Sequence, residues 1–216
     1  MEPDASPGSR ARGATLLLST QWLRYALQVV NIVVLARLIG PADFGIVSLG
    51  LAIVGIASVL GDFGLSLAAL REKELSEQQK SNLLWLNTAI GAVLAVIVAA
   101  AAVPIADIFG DDRLVAVVLI AAPGYLFRAA AVQFQVELNR ADRFRRLAAS
   151  ELGGDVVGAA TAVILALVGS GYVALALQGT VAALVSLVWA CAAAGWRPRL
   201  PRRAPMKRLL VFGVST

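Results

Sequence analysis

The chain contains no histidine and a single cysteine, Cys191. The first absence removes the commonest general base and the commonest metal ligand. The second rules out an internal disulfide and leaves the redox compartment undetermined. Because Cys191 sits in an apolar run without partner ligands, a zinc or Cys/His site is excluded. Charge is scarce as well: 15% of the residues are Asp, Glu, Lys or Arg, against about 25% in a soluble domain. Aromatic side chains make up only 6%.

What remains is apolar. Hydrophobic residues reach 59% and the mean hydropathy is +0.78, more than the core of a soluble domain could hide. Nineteen glycines supply the small residues that let helices approach closely in lipid. The expected fold is all-α, a polytopic transmembrane bundle of six helices.

A spanning helix needs about 20 mainly apolar residues to cross roughly 30 Å of hydrocarbon. On that measure the first helix runs from Ala14 to Leu38 and ends at the Gly40-Pro41 turn. The second covers Phe44 to Leu70, interrupted by Gly61-Asp62-Phe63-Gly64; the third covers Ser81 to Ala106; the fourth, Leu114 to Leu138, has Pro123 as a candidate kink. The charge-free stretch from Val156 to Trp196 is too long for one span and is punctuated by Gly169-Ser170-Gly171, so it reads as a hairpin. Its first arm reaches membrane length only if it begins near Leu147, which places Glu151 and Asp155 inside the helix. The second arm covers Tyr172 to Ala194, with Trp196 as an interfacial anchor. The first apolar stretch is not a cleaved signal: it is too long, contains Arg24, and lacks a small-residue cleavage site.

Fifteen of the nineteen lysines and arginines fall on alternate segments: the N-terminal arm, the second and fourth loops, and the region after Trp196. The positive-inside rule puts those segments, with the N-terminus, in the cytoplasm. The sequence pI near 10.0 is therefore topology, with attraction to membrane lipid headgroups as a secondary effect. Nucleic acid is not needed as a partner. Residues 1–13 form a cytoplasmic arm, 14–195 a six-helix transmembrane lobe, 196–208 a basic cytoplasmic linker and 209–216 the start of a seventh helix.

Two arginines escape the loops. Arg24 lies roughly 15 Å into its helix, where facing lipid costs at least about 2.5–3.5 kcal/mol. Gln21, Arg24, Gln28 and Asn31 share one helical face; so do Tyr125, Arg128, Gln135 and Asn139, and so do Glu151, Asp155 and Gly158. Such stripes either line a polar cavity whose arginines receive an anionic group, or pair Arg24 and Arg128 with Asp155 and Glu151 to hold the bundle together. Both can hold at once. The candidate cavity residues are Arg24, Gln28, Asn31, Arg128, Gln135 and Asp155. Glu137 reads as an interfacial partner of Arg140 at i+3. Asp43 reads as a turn or cap residue, Asp62 as a cap or gate, and Asp107, Asp111 and Asp112 as a solvated outer loop. No catalytic residue, cofactor or metal site is expected.

The run Leu35-Ala36-Arg37-Leu38-Ile39-Gly40-Pro41-Ala42-Asp43-Phe44-Gly45, followed by Leu60-Gly61-Asp62-Phe63-Gly64-Leu65-Ser66, resembles the first-to-second helix region of polysaccharide transporters. These are the Wzx-like oligosaccharide flippases of the multidrug/oligosaccharidyl-lipid/polysaccharide exporter superfamily. The resemblance implies a MATE-like exporter fold of two six-helix lobes around a cationic cavity, of which this chain holds the N-terminal one, with the second lobe on another chain or lost by truncation. It implies alternating access in the bacterial cytoplasmic membrane, with undecaprenyl-pyrophosphate-linked oligosaccharide as substrate. It places Arg24 in the cavity and gives Pro41-Asp43-Phe44-Gly45 a structural role in a tight external turn. The competing expectations are a cation-coupled multidrug exporter of the same superfamily, a membrane-bound glycosyl or phosphoglycosyl transferase, and a non-transporting fragment. Short basic loops without an acidic metal-binding pair argue against the transferase.

Overall fold

The computed structural model describes residues 7–61, 76–196 and 198–201, and every regular element among them is an α-helix. In chain order these are α1 (Pro7–Leu38), α2 (Pro41–Gly61), α3 (Glu77–Ala100), α4 (Ala102–Phe109), α5 (Arg113–Ala121), α6 (Pro123–Arg140), α7 (Phe144–Leu167) and α8 (Gly171–Ala194). Four stretches are long and apolar enough to cross a membrane: Glu77–Phe109, Arg113–Arg140, Phe144–Leu167 and Gly171–Ala194. The chain is a multi-pass membrane protein with an all-α transmembrane bundle. The expected second helix beyond Gly61, its Asp62 turn, residue 197 and the segment 202–216 lie outside the described residues.

Most boundaries fall within a few residues of those expected, and the exceptions have local causes. Helix α1 begins at Pro7, inside the segment assigned to the arm; a proline at the first helical position wastes no hydrogen bond, and the arginines and alanine that follow favour helix. Helix α3 begins at Glu77 because Ser76 and Gln79 form a reciprocal capping box: the Gln79 amide donates to Ser76 Oγ at 3.2 Å and the Ser76 amide to Gln79 Oε1 at 2.9 Å. The third span breaks at Ala101, where Pro104 leaves the Ala100 carbonyl without its donor. The fourth breaks at Ala122, as Pro123 led us to expect. Beside that break Thr180 Oγ1 donates to the Ile120 carbonyl at 2.7 Å, one way a kinked helix in lipid keeps its backbone satisfied.

Helix α8 is central, packing on α7, α6, α5 and α2; α3 lies against α6 and α1 against α7. Alanine dominates the interior, with Ala162, Ala174, Ala176 and Ala190 almost wholly buried, while Val93, Val96, Ile97, Ile164 and Val188 are more than half exposed. Large apolar residues outside and small ones inside suit a lipid solvent, where packing rather than water exclusion joins helices.

Helices α7 and α8 approach closely through glycines. A Cβ on Gly154 would lie 2.6 Å from the Ala182 carbonyl oxygen, and one on Gly158 would lie 2.7 Å from that of Gln178. Gly158, placed on the polar stripe by its spacing, thus faces the neighbouring backbone.

At the Asp43 end of the bundle Arg113 forms a clamp. Its Nη1 meets Asp43 Oδ1 at 2.7 Å, while Nη2 and Nε hold the two oxygens of Asp111 at 2.8 and 3.0 Å. These hydrogen bonds hold the Asp111 carboxyl below the usual carboxylate range. The other oxygen of Asp43 sits against Gly171 at the start of α8, where a side chain would collide. Asp43 therefore joins α2, α5 and α8 as well as occupying the first turn of α2, and Asp111 is not freely solvated.

Gly154→Ala and Gly158→Ala should each cost about 1–3 kcal/mol of stability. Gly179→Ala, where an added Cβ meets nothing within 4 Å, should cost little. Thermal unfolding of the three variants in detergent checks the contrast.

Candidate functional site

Three cavities of about 170, 260 and 290 Å³ merge along α8 into one groove. One wall is the face of α1 carrying Gln21, Arg24, Gln28 and Asn31; the other is the face of α6 carrying Tyr125, Arg128 and Gln135. The floor is low because α8 presents Gly179, Ala182, Ala183 and Ser186. From Ala176 to Ser186 the groove follows ten residues of α8, roughly 15 Å.

All six candidate residues border this groove: Arg24, Gln28, Asn31, Arg128 and Asp155 on its middle part, and Gln135 on the part shared with Glu151. Asn139, at the end of the α6 stripe, is not among the lining residues. The faces read from helical periodicity lie along this groove, but the pairing within them differs from a simple two-by-two arrangement. Arg24 takes both carboxylates, with Nε 2.6 Å from Asp155 Oδ2 and Nη1 2.7 Å from Glu151 Oε2. One guanidinium thus faces two acids one helical turn apart on α7, and the group carries an excess negative charge when all three are ionised.

Arg128 borders all three parts of the groove, is exposed, and has no hydrogen bond or ion pair among the described residues. Asn31, 5% exposed, donates from Nδ2 to Gln178 Oε1 at 2.9 Å, and Gln135 donates from Nε2 to Ser186 Oγ at 3.2 Å. Gln178 and Ser186 were missed from sequence. Their signal was present, since two polar residues eight positions apart share a face of an otherwise apolar helix.

Glu137 departs from expectation too. Beyond the local expectation it binds Lys80 across the α3–α6 contact, Nζ to Oε2 at 2.8 Å, and Lys80 also holds Glu77 at 3.0 Å. The tertiary ion pair wins because both groups are largely buried, at 17% and 13% side-chain exposure.

The model of a family described as polysaccharide biosynthesis protein matches residues 34–216. The succinoglycan biosynthesis transport protein ExoT of Rhizobium meliloti (strain 1021) is 29% identical over 184 residues, covering 81% of this chain and 35% of the relative. The lipopolysaccharide biosynthesis protein WzxC of Escherichia coli (strain K12) is 26% identical over 140 residues, 65% of this chain and 28% of the relative. An uncharacterised membrane protein of the cps region of Klebsiella pneumoniae is 24% identical over 156 residues, 69% of this chain and 32% of that protein. The chain spans about a third of the length of these relatives. No solved structure matches it. Arg128, Gln135 and Asp155 lie within the family match, and Arg24, Gln28 and Asn31 precede it.

Arg24→Ala leaves two carboxylates near each other without their cation in a partly buried groove. It should cost about 2 kcal/mol, less than the roughly 3–5 of a fully buried pair because these side chains are about a third exposed. Adding Glu151→Gln and Asp155→Asn should recover most of the loss, as read by thermal unfolding.

Proposed function

Because the chain belongs to the polysaccharide biosynthesis protein family, we propose that it forms one lobe of an exporter that moves a lipid-linked oligosaccharide across the cytoplasmic membrane by alternating access. The observation that carries this reading is Arg128: a cation unpaired among the described residues, in an amphiphilic groove that it shares with neutral hydrogen-bonding side chains and with the Arg24, Glu151 and Asp155 group. A guanidinium whose N–H donors are unused among the described residues is suited to a phosphate or diphosphate. Gln28 and Gln135 offer donors and acceptors that match sugar hydroxyls. The apolar edge at Leu27 and Leu51 suits a hydrocarbon chain lying beside the groove.

Six spans make up the lobe in this reading, with α1 and α2 supplying the two beyond the four apolar stretches. The groove is walled by one lobe only, so the opposing wall comes from a second lobe, which the greater length of the relatives can accommodate. Rocking of one lobe against the other exposes the groove alternately to each side. This is carrier action, with no bond made or broken. The orientation, with the N-terminus and the α6–α7 loop in the cytoplasm, rests on the arginines at 140, 143, 145 and 146.

A cation-coupled multidrug exporter is the second reading, supported by the two carboxylates that outnumber Arg24. The substitution Arg128→Ala in the complete protein separates the two. Loss of an unshared charge-assisted contact should reduce glycan export at least tenfold, with the unfolding temperature unchanged. Unimpaired export with R128A would reject the anion-binding groove. For orientation, in a Cys191→Ser background, Asp142→Cys should react with an impermeant thiol reagent from the cytoplasmic side only, and Asp112→Cys from the opposite side only; the reverse pattern would invert the topology.

A further inference from the structure

At the end of the bundle opposite the Asp43 clamp, two arginines are anchored to main-chain carbonyls. Arg143 Nη1 donates to the Ala194 carbonyl at 3.2 Å and Arg146 Nη1 to the Ala193 carbonyl at 3.1 Å. The carbonyls are consecutive, so the two guanidiniums sit side by side at the C-terminus of α8, where the partial negative charge of the helix end favours them. Each spends one of its five N–H donors there. Both side chains are exposed, as are Arg145 between them in sequence and Arg199 beyond α8.

Arg199 is held by its backbone alone. Its N–H donates to Ser81 Oγ at 3.0 Å and its carbonyl accepts from Trp85 Nε1 at 3.0 Å, while Gln78 Nε2 donates to the Leu200 carbonyl at 3.0 Å. The guanidinium takes no part in these contacts. Among the described residues no carboxylate pairs with Arg143, Arg145, Arg146 or Arg199, although Asp142 lies exposed in the same loop. Glu77, Lys80 and Glu137 are engaged with one another. Two tryptophans mark this level: Trp85, 44% exposed, and Trp196, whose ring meets Phe134 at 5.5 Å. Tryptophans at the end of a spanning helix belong to the headgroup region.

We propose that Arg143 and Arg146 form a binding site for the phosphodiester of an anionic phospholipid, with Arg145 and Arg199 adding longer-range attraction. The anchoring hydrogen bonds fix both forks before the lipid arrives, so the remaining donors face one phosphate without a search through rotamers. A dissolved phosphate offers the same oxyanion chemistry. The tryptophan level assigns the site to a lipid.

The test reconstitutes the full chain into vesicles and reads quenching of tryptophan fluorescence by brominated phosphatidylglycerol against brominated phosphatidylcholine. The wild-type chain should prefer phosphatidylglycerol. Arg143→Gln and Arg146→Gln should each reduce that preference about fivefold, roughly twenty-five-fold together. Arg143→Lys with Arg146→Lys keeps the charge but loses the planar forks, and should forfeit at least half of the preference. That pair decides the matter if the glutamine pair fails to fold. An unchanged preference in the lysine pair would mean diffuse attraction and overturn the proposal. Displacement of the preference by inorganic phosphate would make a soluble anion the ligand and overturn it equally.

Discussion

Helix α7 can lie against α8 only because Gly154 and Gly158 have no side chains, and the placement of charge in the groove follows from that approach. In lipid no hydrophobic force draws helices together, so contact depends on how closely two backbones can come. Here they meet through carbonyl oxygens at Gln178 and Ala182. With α7 held at that distance, Glu151 and Asp155 are carried to the side on which α1 lies, and Arg24 reaches both. On the other side α8 is left with a low surface of glycine, alanine and serine, which becomes the groove floor. Packing and polarity are therefore one arrangement.

The two intramembrane arginines end in opposite circumstances. Arg24 is paired with two carboxylates, which ties α1 to α7. Arg128, on the facing wall, has no hydrogen bond or ion pair among the described residues. A cation inside a bundle is costly unless a partner or water meets it. Two residues of the same type on facing polar stripes thus differ in their pairing, which the stripes alone do not distinguish.

Much of this was legible in the sequence. Length and hydropathy locate helices well when lipid is the solvent, since a span must be long and apolar, and Pro123 announced its own break. The 3.6-residue period placed Arg24, Gln28, Asn31, Arg128, Gln135 and Asp155 on surfaces that face one cavity. What a period supplies is a face and not a distance. It could not say that Arg24 would take both acids, nor that Arg113 would reach Asp43 across 70 positions. Glu137 illustrates the same limit, because a local i+3 partner was visible in the chain while Lys80 was visible only in the packing. The Ser76-Gln79 box was readable and shifted the start of α3 by four residues. Gln178 went unseen because a charge-free run invites attention to its length and not to its few amides.

The ion group at Arg24 also has a history in time. Its partner Glu151 lies 127 residues further along the chain, which at about 5–20 residues per second takes roughly 6–25 s to synthesise. During that interval the ribosome has delivered the arginine but not the acids that neutralise it. Until α7 emerges, α1 has its arginine without either of the acids that meet it in the folded bundle.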